Sequence, residues 1–265
     1  MGIEKIATLG FYTSWNISRR FLFACNAGDY FSQQIQIVVL IMKKQRILVG
    51  LFVIFASLYF NCGAIFYTIE LWPDGKIPYT ISKNFSVYDK MFIEGCIGEW
   101  EKNTNIDFQY YYGNSESLYV LHIRKNKNEN ELSSSAVVGY CFESMIILGV
   151  LSRPVILHEL GHVIGLLHEH QRPDRDKYIK VLYKNIEPSA YFCFEKRPAD
   201  EFLYDYTKFS YDYYSIMHYY ESSFSKNGKP AISAPDFVGH IGNTEISPID
   251  ILKVNEIYGK PKLKK

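Results

Sequence analysis

The sequence predicts an α+β domain, and three observations carry that expectation. Short runs that alternate apolar and polar residues, as half-buried strands do, recur between Trp72 and Leu151. Three segments, Val87–Lys102, Val155–Leu167 and Pro248–Tyr258, instead repeat apolar residues at helical spacing. Pro173, Pro188, Pro198, Pro230 and Pro235 then punctuate the second half, which reads as loop-rich.

Along the chain, the first informative stretch is Met42–Ala64. Lys43, Lys44 and Arg46 precede an uncharged apolar run from Ile47 to Phe60, and Cys62-Gly63-Ala64 supplies the small residues of a cleavage site. That is the layout of a secretory signal peptide, and the run is short for a membrane span. Residues 1–41 are therefore expected to be an N-terminal extension with Met42 a candidate start, 42–64 a signal peptide or signal anchor, and 65–265 the folded domain. The expected location is secreted or periplasmic. Retention of residues 47–60 would instead anchor the protein at a membrane.

The domain opens with WPDGKIPYTI, a Pro-Asp-Gly turn leading into an alternating strand. The helix over Val87–Lys102 carries Met91, Phe92, Cys96, Ile97 and Trp100 as its apolar positions. SLYVLHIR (Ser117–Arg124) alternates as a strand, KNKNENE is a solvated loop, and Ala136–Leu151 reads as one or two strands. Pro154 fits the first turn of the next helix, where its missing N–H costs nothing. The terminal helix is expected to turn Ile251, Val254 and Ile257 inward. The 265 residues suffice for one large domain or two small ones, with enough length to bury a core. A net charge of +1 argues against a nucleic-acid partner. Five cysteines without a CxxC pair indicate neither a cysteine zinc site nor a disulfide framework.

Four of the seven histidines, His158, His162, His168 and His170, fall in the stretch HELGHVIGLLHEHQRPDRD. His158 and His162 stand one helical turn apart, so one face presents both to a single divalent ion. Glu159 can reach a water on that ion without ligating it, as a general base. His168 would lie on the wrong face of a continuing helix. The chain must turn, and Gly165 tolerates the positive φ of a sharp exit. Three neutral imidazoles leave zinc an open position for water, whose pKa the metal lowers toward neutrality. Further on, SIMHYY offers Met217 in a tight turn and Tyr219 after it. His170 is read as a solvated neighbour and His218 as a packing or hydrogen-bonding residue; His122 and His240 receive no role. Arg172, Asp174, Arg175 and Asp176 are read as a structural ion-pair network.

These motifs resemble the astacin family of zinc endopeptidases, within the metzincins, whose patterns HExxHxxGxxHExxRxDR and SxMHY are met at every fixed position. LWPDGKIPYTI, EKNTNIDF, NIEPS and ISPIDILKVNEIYG are similar as well, so the resemblance spans essentially the whole domain. It implies a two-lobed, astacin-like catalytic domain over 65–265: a mixed five-stranded sheet with helices in the N-terminal lobe, an irregular C-terminal lobe with a terminal helix, and a cleft between. It implies one catalytic zinc ion on His158, His162 and His168, with Glu159 as general base and proton shuttle. Tyr219 would be a further, displaceable zinc ligand that turns to the oxyanion, and Met217 would pack beneath the metal. Glu169 would help to anchor the mature N-terminus. The implied partner is a protein or peptide substrate lying extended along an edge strand, and the protein is expected to be a monomer. The rival is an inactive, zinc-containing peptide-binding homologue, against which the intact Glu159 and Tyr219 argue.

Against the family pattern, two disulfides are missing. Asn105 stands at one cysteine position and the chain ends YGKPKLKK without its partner; Val150 and Ser134 mark the other pair. The core must then hold without about 2–4 kcal/mol per bridge, which suits a bacterial member or a reducing compartment. Ala64–Glu70 is too short for the aspartate motif with which the family's zymogens cap their metal. Signal removal itself is therefore expected to yield an N-terminus whose ammonium approaches Glu169.

Overall fold

The computed structural model describes residues 69–113, 119–128, 133–237 and 239–259; Met42–Ala64, with its expected signal role, lies outside them. The Pro-Asp-Gly turn forms as expected, with positive φ at Asp74 and Gly75. Strand β1 (Lys76–Ile81) follows and buries Ile77, Tyr79 and Ile81 on one face. It pairs in parallel with β2 (Asp107–Tyr110) on one side and β3 (Leu121–Lys125) on the other. β3 runs parallel to β5 (Met145–Leu148), and β4 (Ser135–Ala136) closes the sheet antiparallel to β5. The result is the mixed five-stranded sheet, in the order β2-β1-β3-β5-β4.

Helix α1 (Val87–Asn103) starts at a reciprocal cap between Ser86 and Asp89. Its buried stripe is Ile93, Cys96, Ile97 and Trp100, spaced i, i+3, i+4, i+7. Met91 and Phe92, expected inward, are 63% and 41% exposed. Met91 is off that stripe and Phe92 at its margin. Helix α2 (Arg153–Ile164) is pinned by two buried indoles: Trp100 Nε1 donates to the Leu157 carbonyl at 3.1 Å and Trp72 Nε1 to that of Val163 at 2.8 Å.

The chain after α2 is irregular, as its prolines foretold. Short 3-10 turns and a two-stranded ribbon of β6 (Lys180–Val181) and β7 (Ile232–Ser233) lead to helix α3 (Pro248–Tyr258). Ser247 and Asp250 cap α3 reciprocally. Its inward face differs from the expected one: Asp250, Lys253 and Val254 are buried, while Ile251 and Ile257 are half-buried. Two ionisable groups are tolerated inside because each meets partners there, described below.

Two apolar clusters result. One joins the sheet, α1 and α2; the other gathers Ile179, Ile186, Phe194, Tyr219, Phe224 and Ile232 from the irregular half. Cys96 and Cys193 are buried and form no disulfide. Hydrogen bonds stand at both positions where bridges are missing. Asn105 Nδ2 donates to the Tyr258 carbonyl at 2.9 Å, and Ser134 Oγ accepts from Gly149 N at 3.0 Å and Val150 N at 3.4 Å. Among the described residues, no helix is long and apolar enough to cross a membrane.

Candidate active site

Helix α2 ends where the motif requires. Gly165 takes φ 116° and its N–H reaches the carbonyls of Gly161 and His162. The chain turns back, and His168 arrives opposite His158 and His162. All three rings are buried, with ligand nitrogens within 4.8 Å of one another. His168 Nε2 lies 3.2 Å from the Nε2 of His158 and 3.2 Å from that of His162.

The second nitrogen of each ring is held by an acceptor. His158 Nδ1 donates to the Ile216 carbonyl at 2.7 Å, His162 Nδ1 to the Leu166 carbonyl at 2.8 Å, and His168 Nδ1 to Gln171 Oε1 at 3.1 Å. With Nδ1 carrying the proton, three Nε2 lone pairs converge in a buried site. A tetrahedral zinc with Zn–N bonds of 2.0–2.1 Å needs nitrogens about 3.3 Å apart, so the set fits that ion. Burial, with repulsion from neighbouring rings, pushes His158 down to about 3 and His168 well below its ordinary value; burial chiefly pushes His162 down to about 4. The rings are thus held in the neutral form that ligates metal. Glu159 is buried beside them, and its Oε2 has no hydrogen-bond partner among the described residues. Burial drives its carboxyl well above the usual carboxylate range.

Beneath the histidines lies the Ser215–Met217 turn, which α3 grips. Asp250 Oδ1 accepts from Ser215 Oγ at 2.6 Å and Oδ2 from the Ile216 N–H at 2.8 Å. The Ile216 carbonyl is the one that orients His158, so Asp250 stands one peptide away from a candidate ligand. Met217 abuts α2: a Cβ on Gly161 would sit 2.5 Å from its Sδ.

Glu169, next to His168, is buried and fully engaged. Oε1 accepts from Arg172 Nη1 at 3.0 Å and the Asp212 N–H at 2.9 Å, and Oε2 from Lys253 Nζ at 2.6 Å. Burial opposes its charge, but Lys253 and Arg172 overcome that and hold the carboxyl below its usual value. Lys253 of α3 thus supplies a buried cation to Glu169, while the N-terminal ammonium expected there falls outside the described residues. Arg172 also clasps Asp174 in a bidentate pair at 3.0 Å, within the anticipated ion-pair network.

Tyr219 is buried with its ring 4.7 Å from that of His168. His170 corrects the sequence reading. It is wholly buried, not solvated, because it stacks on Tyr219 at 3.9 Å and its Nε2 donates to the Cys193 carbonyl at 3.0 Å. It does not join the triad. His218 is the hydrogen-bonding residue expected: Nδ1 donates to the Tyr219 carbonyl and Nε2 accepts from Tyr211 Oη, both at 2.7 Å. His122 lies in β3 against Thr80, and His240 is exposed. Sequence reasoning missed Gln171, Asp250 and Lys253. The available signal was the polar pair one helical turn apart in α3, on a helix otherwise read as apolar inside.

The model of the peptidase family described as Astacin matches residues 64–259. The chain is 36% identical over 197 residues to zinc metalloproteinase nas-8 of Steinernema carpocapsae, which covers 73% of this chain and 46% of that protein. Zinc metalloproteinase nas-13 of Caenorhabditis elegans is 34% identical over 200 residues, covering 75% and 43%. The chain therefore spans under half the length of these two relatives. With low choriolytic enzyme of Oryzias latipes it shares 33% identity over 198 residues, covering 71% of this chain and 68% of that protein. Among solved structures, high choriolytic enzyme 1, a hatching enzyme zinc-protease of Oryzias latipes, superposes with a TM-score of 0.62 at 27% identity, over 73% of this chain and 94% of that one. Myroilysin, at 19% identity and a TM-score of 0.51 over 72% of this chain and 97% of that one, shares the fold. The motif-bearing turn, the converging histidines and the match across nearly the whole domain lead to one conclusion: the chain belongs to the astacin family of peptidases.

Proposed function

We propose that the chain is a zinc-dependent endopeptidase that hydrolyses internal peptide bonds of proteins. The observation that carries this reading is the convergence of three buried, neutral imidazoles beside a carboxylate oxygen that lacks a partner among the described residues. Zinc held by His158, His162 and His168 would supply Lewis acidity and a water nucleophile near neutral pH. Glu159 would take the proton of the attacking water and return it to the leaving amine; burial raises the proton affinity of its carboxylate. The Tyr219 hydroxyl would be a further ligand to that ion and would donate to the developing oxyanion, a contribution of about 10²–10³ in rate for such donors. The carbonyls of Ile216 and Leu166 and the Gln171 amide hold the rings in register. β4, at the end of the sheet beside α2, offers an edge to which an extended peptide can pair. The basic and apolar layout of Met42–Ala64 supports delivery outside the cytoplasm.

The test compares the wild type with Glu159→Ala on a denatured protein substrate, with zinc quantified in each. Cleavage by the wild type alone, at equal zinc, is the expected result. Zinc in both proteins with cleavage by neither would favour the peptide-binding reading.

A further inference from the structure

We propose that Gln171 is a positioning residue of this site, whose side-chain amide sets the tautomer of His168 and, through it, the strength of metal binding. The inference rests on the reading of His168 as a zinc ligand.

The three candidate ligands are not held alike. His158 and His162 rise from α2, and their Nδ1 atoms meet backbone carbonyls, those of Ile216 and Leu166. A backbone carbonyl is present whatever side chain the sequence places there. His168 stands beyond the Gly165 exit, and its Nδ1 meets a side chain, the Oε1 of buried Gln171, at 3.1 Å. Gln171 falls at one of the unspecified positions of HExxHxxGxxHExxRxDR, so the motif itself does not supply this acceptor.

An amide can present either end, so whatever orients Gln171 decides what His168 meets. Gln171 Nε2 donates to the Cys193 carbonyl at 3.2 Å, an oxygen that His170 Nε2 also reaches at 3.0 Å. Turning the amide over would lose that bond and set oxygen against oxygen. The carbonyl of a distant 3-10 segment, Pro188–Phe194, thus keeps Oε1 facing His168. An amide oxygen only accepts. His168 must therefore carry its proton on Nδ1 and direct the Nε2 lone pair toward His158 and His162, each 3.2 Å away. Without that acceptor the proton can rest on Nε2, the atom that must be bare to ligate. Gln171 does not converge with the three histidines, so its action runs through His168.

The experiment takes the full chain as wild type, Gln171→Leu and Gln171→Glu. It measures the Kd for zinc by competition with a chelator, the ring nitrogen-15 shifts of His168 in the zinc-free protein, and Tm. Leucine fills the space without an acceptor, and is expected to weaken zinc binding about 10- to 100-fold, as loss of a ligand's outer partner does. The His168 shifts are expected to move from the Nδ1–H tautomer to a mixture. Glutamate gives up the bond to Cys193 but keeps an oxygen for Nδ1, and is expected to bring the Kd back to within about threefold of wild type. A Gln171→Leu protein that binds zinc within about twofold of wild type, or retains the Nδ1–H tautomer, overturns the proposal. So does a glutamate variant as weak as the leucine one. A packing role alone would lower Tm in Gln171→Leu and leave the tautomer in place, which also counts against it. Affinity and tautomer are read without substrate. Failure of the endopeptidase reading, a wild type that binds zinc and cleaves nothing, is therefore distinct from failure of this one.

Discussion

Lys253→Met cuts the link between the terminal helix and the segment that carries His168, and its cost follows from burial. Lys253 and Glu169 are 2% and 1% exposed, so water screens neither charge. Removing one partner of a buried pair costs about 3–5 kcal/mol, because the other charge stays behind uncompensated. Here Arg172 and the Asp212 N–H still serve Oε1, so the lower end, about 3 kcal/mol, is expected. Methionine matches the lysine stem and leaves little cavity, which confines the effect to the charge. Urea unfolding of the zinc-loaded protein reads it as a fall of about 1–1.5 M in midpoint for a slope of about 2–3 kcal/mol/M. Adding Glu169→Gln to Lys253→Met removes the stranded charge while keeping an acceptor for Arg172, and is expected to recover at least about 1 kcal/mol. A midpoint for Lys253→Met within about 0.3 M of wild type, or a double variant weaker than the single one, would refute the reasoning.

Two further outcomes follow from the same geometry. Gly161→Ala gains about 1 kcal/mol of helix propensity but drives its methyl into Met217 Sδ, 2.5 Å away. Overpacking costs of about 1–3 kcal/mol should win, and the melting temperature should fall. In a Met217→Ala background the same change should become stabilising, and a Gly161→Ala that stabilises the wild type would show that Met217 yields freely. The metal-free protein should also lose stability as pH falls. His158 at about 3 and His162 at about 4 lie below the unfolded value of about 6.5, so the unfolded chain takes up protons first. Stability is full above pH about 6.5 and is lost on the way down to the folded values, at about 1.4 kcal/mol per pH unit per ring. A urea midpoint that stays level from pH 7.5 to 5 would contradict it.

The candidate site was legible where its chemistry is local. The i, i+4 histidines, the adjoining glutamate and the glycine exit are dictated by helix geometry, and the folded chain puts them where that geometry requires. The alternating strands of the sheet were legible for the same reason. What escaped was the layer of residues behind the site. Asp250 and Lys253 are polar positions on a helix whose apolar residues suggested a different inward face. Only the distant Ser215, Ile216 and Glu169 explain their burial. His170 was misjudged because its partners, Tyr219 and Cys193, lie far along the chain. A pattern of spacing reports which residues share a face; it does not report what that face will meet.

The two clusters give this layer its purpose. Met217 packs with the sheet and α2, whereas Tyr219, two residues on, packs with the irregular half. The histidines and the proposed oxyanion donor are therefore referenced to different cores. Their separation is only as fixed as the bonds that span the seam. Those bonds include the Glu169 N–H to the Met217 carbonyl at 3.1 Å, Lys253 to Glu169, and the paired donations of His170 and Gln171 to Cys193. Each fastens to the segment His168–Gln171, which carries one candidate ligand; His170 and Gln171 turn toward Cys193 of the second core, and Glu169 toward Lys253 of α3. That short segment ties His168 to both cores, through a lysine on the last helix and through the carbonyl of a cysteine in a 3-10 turn.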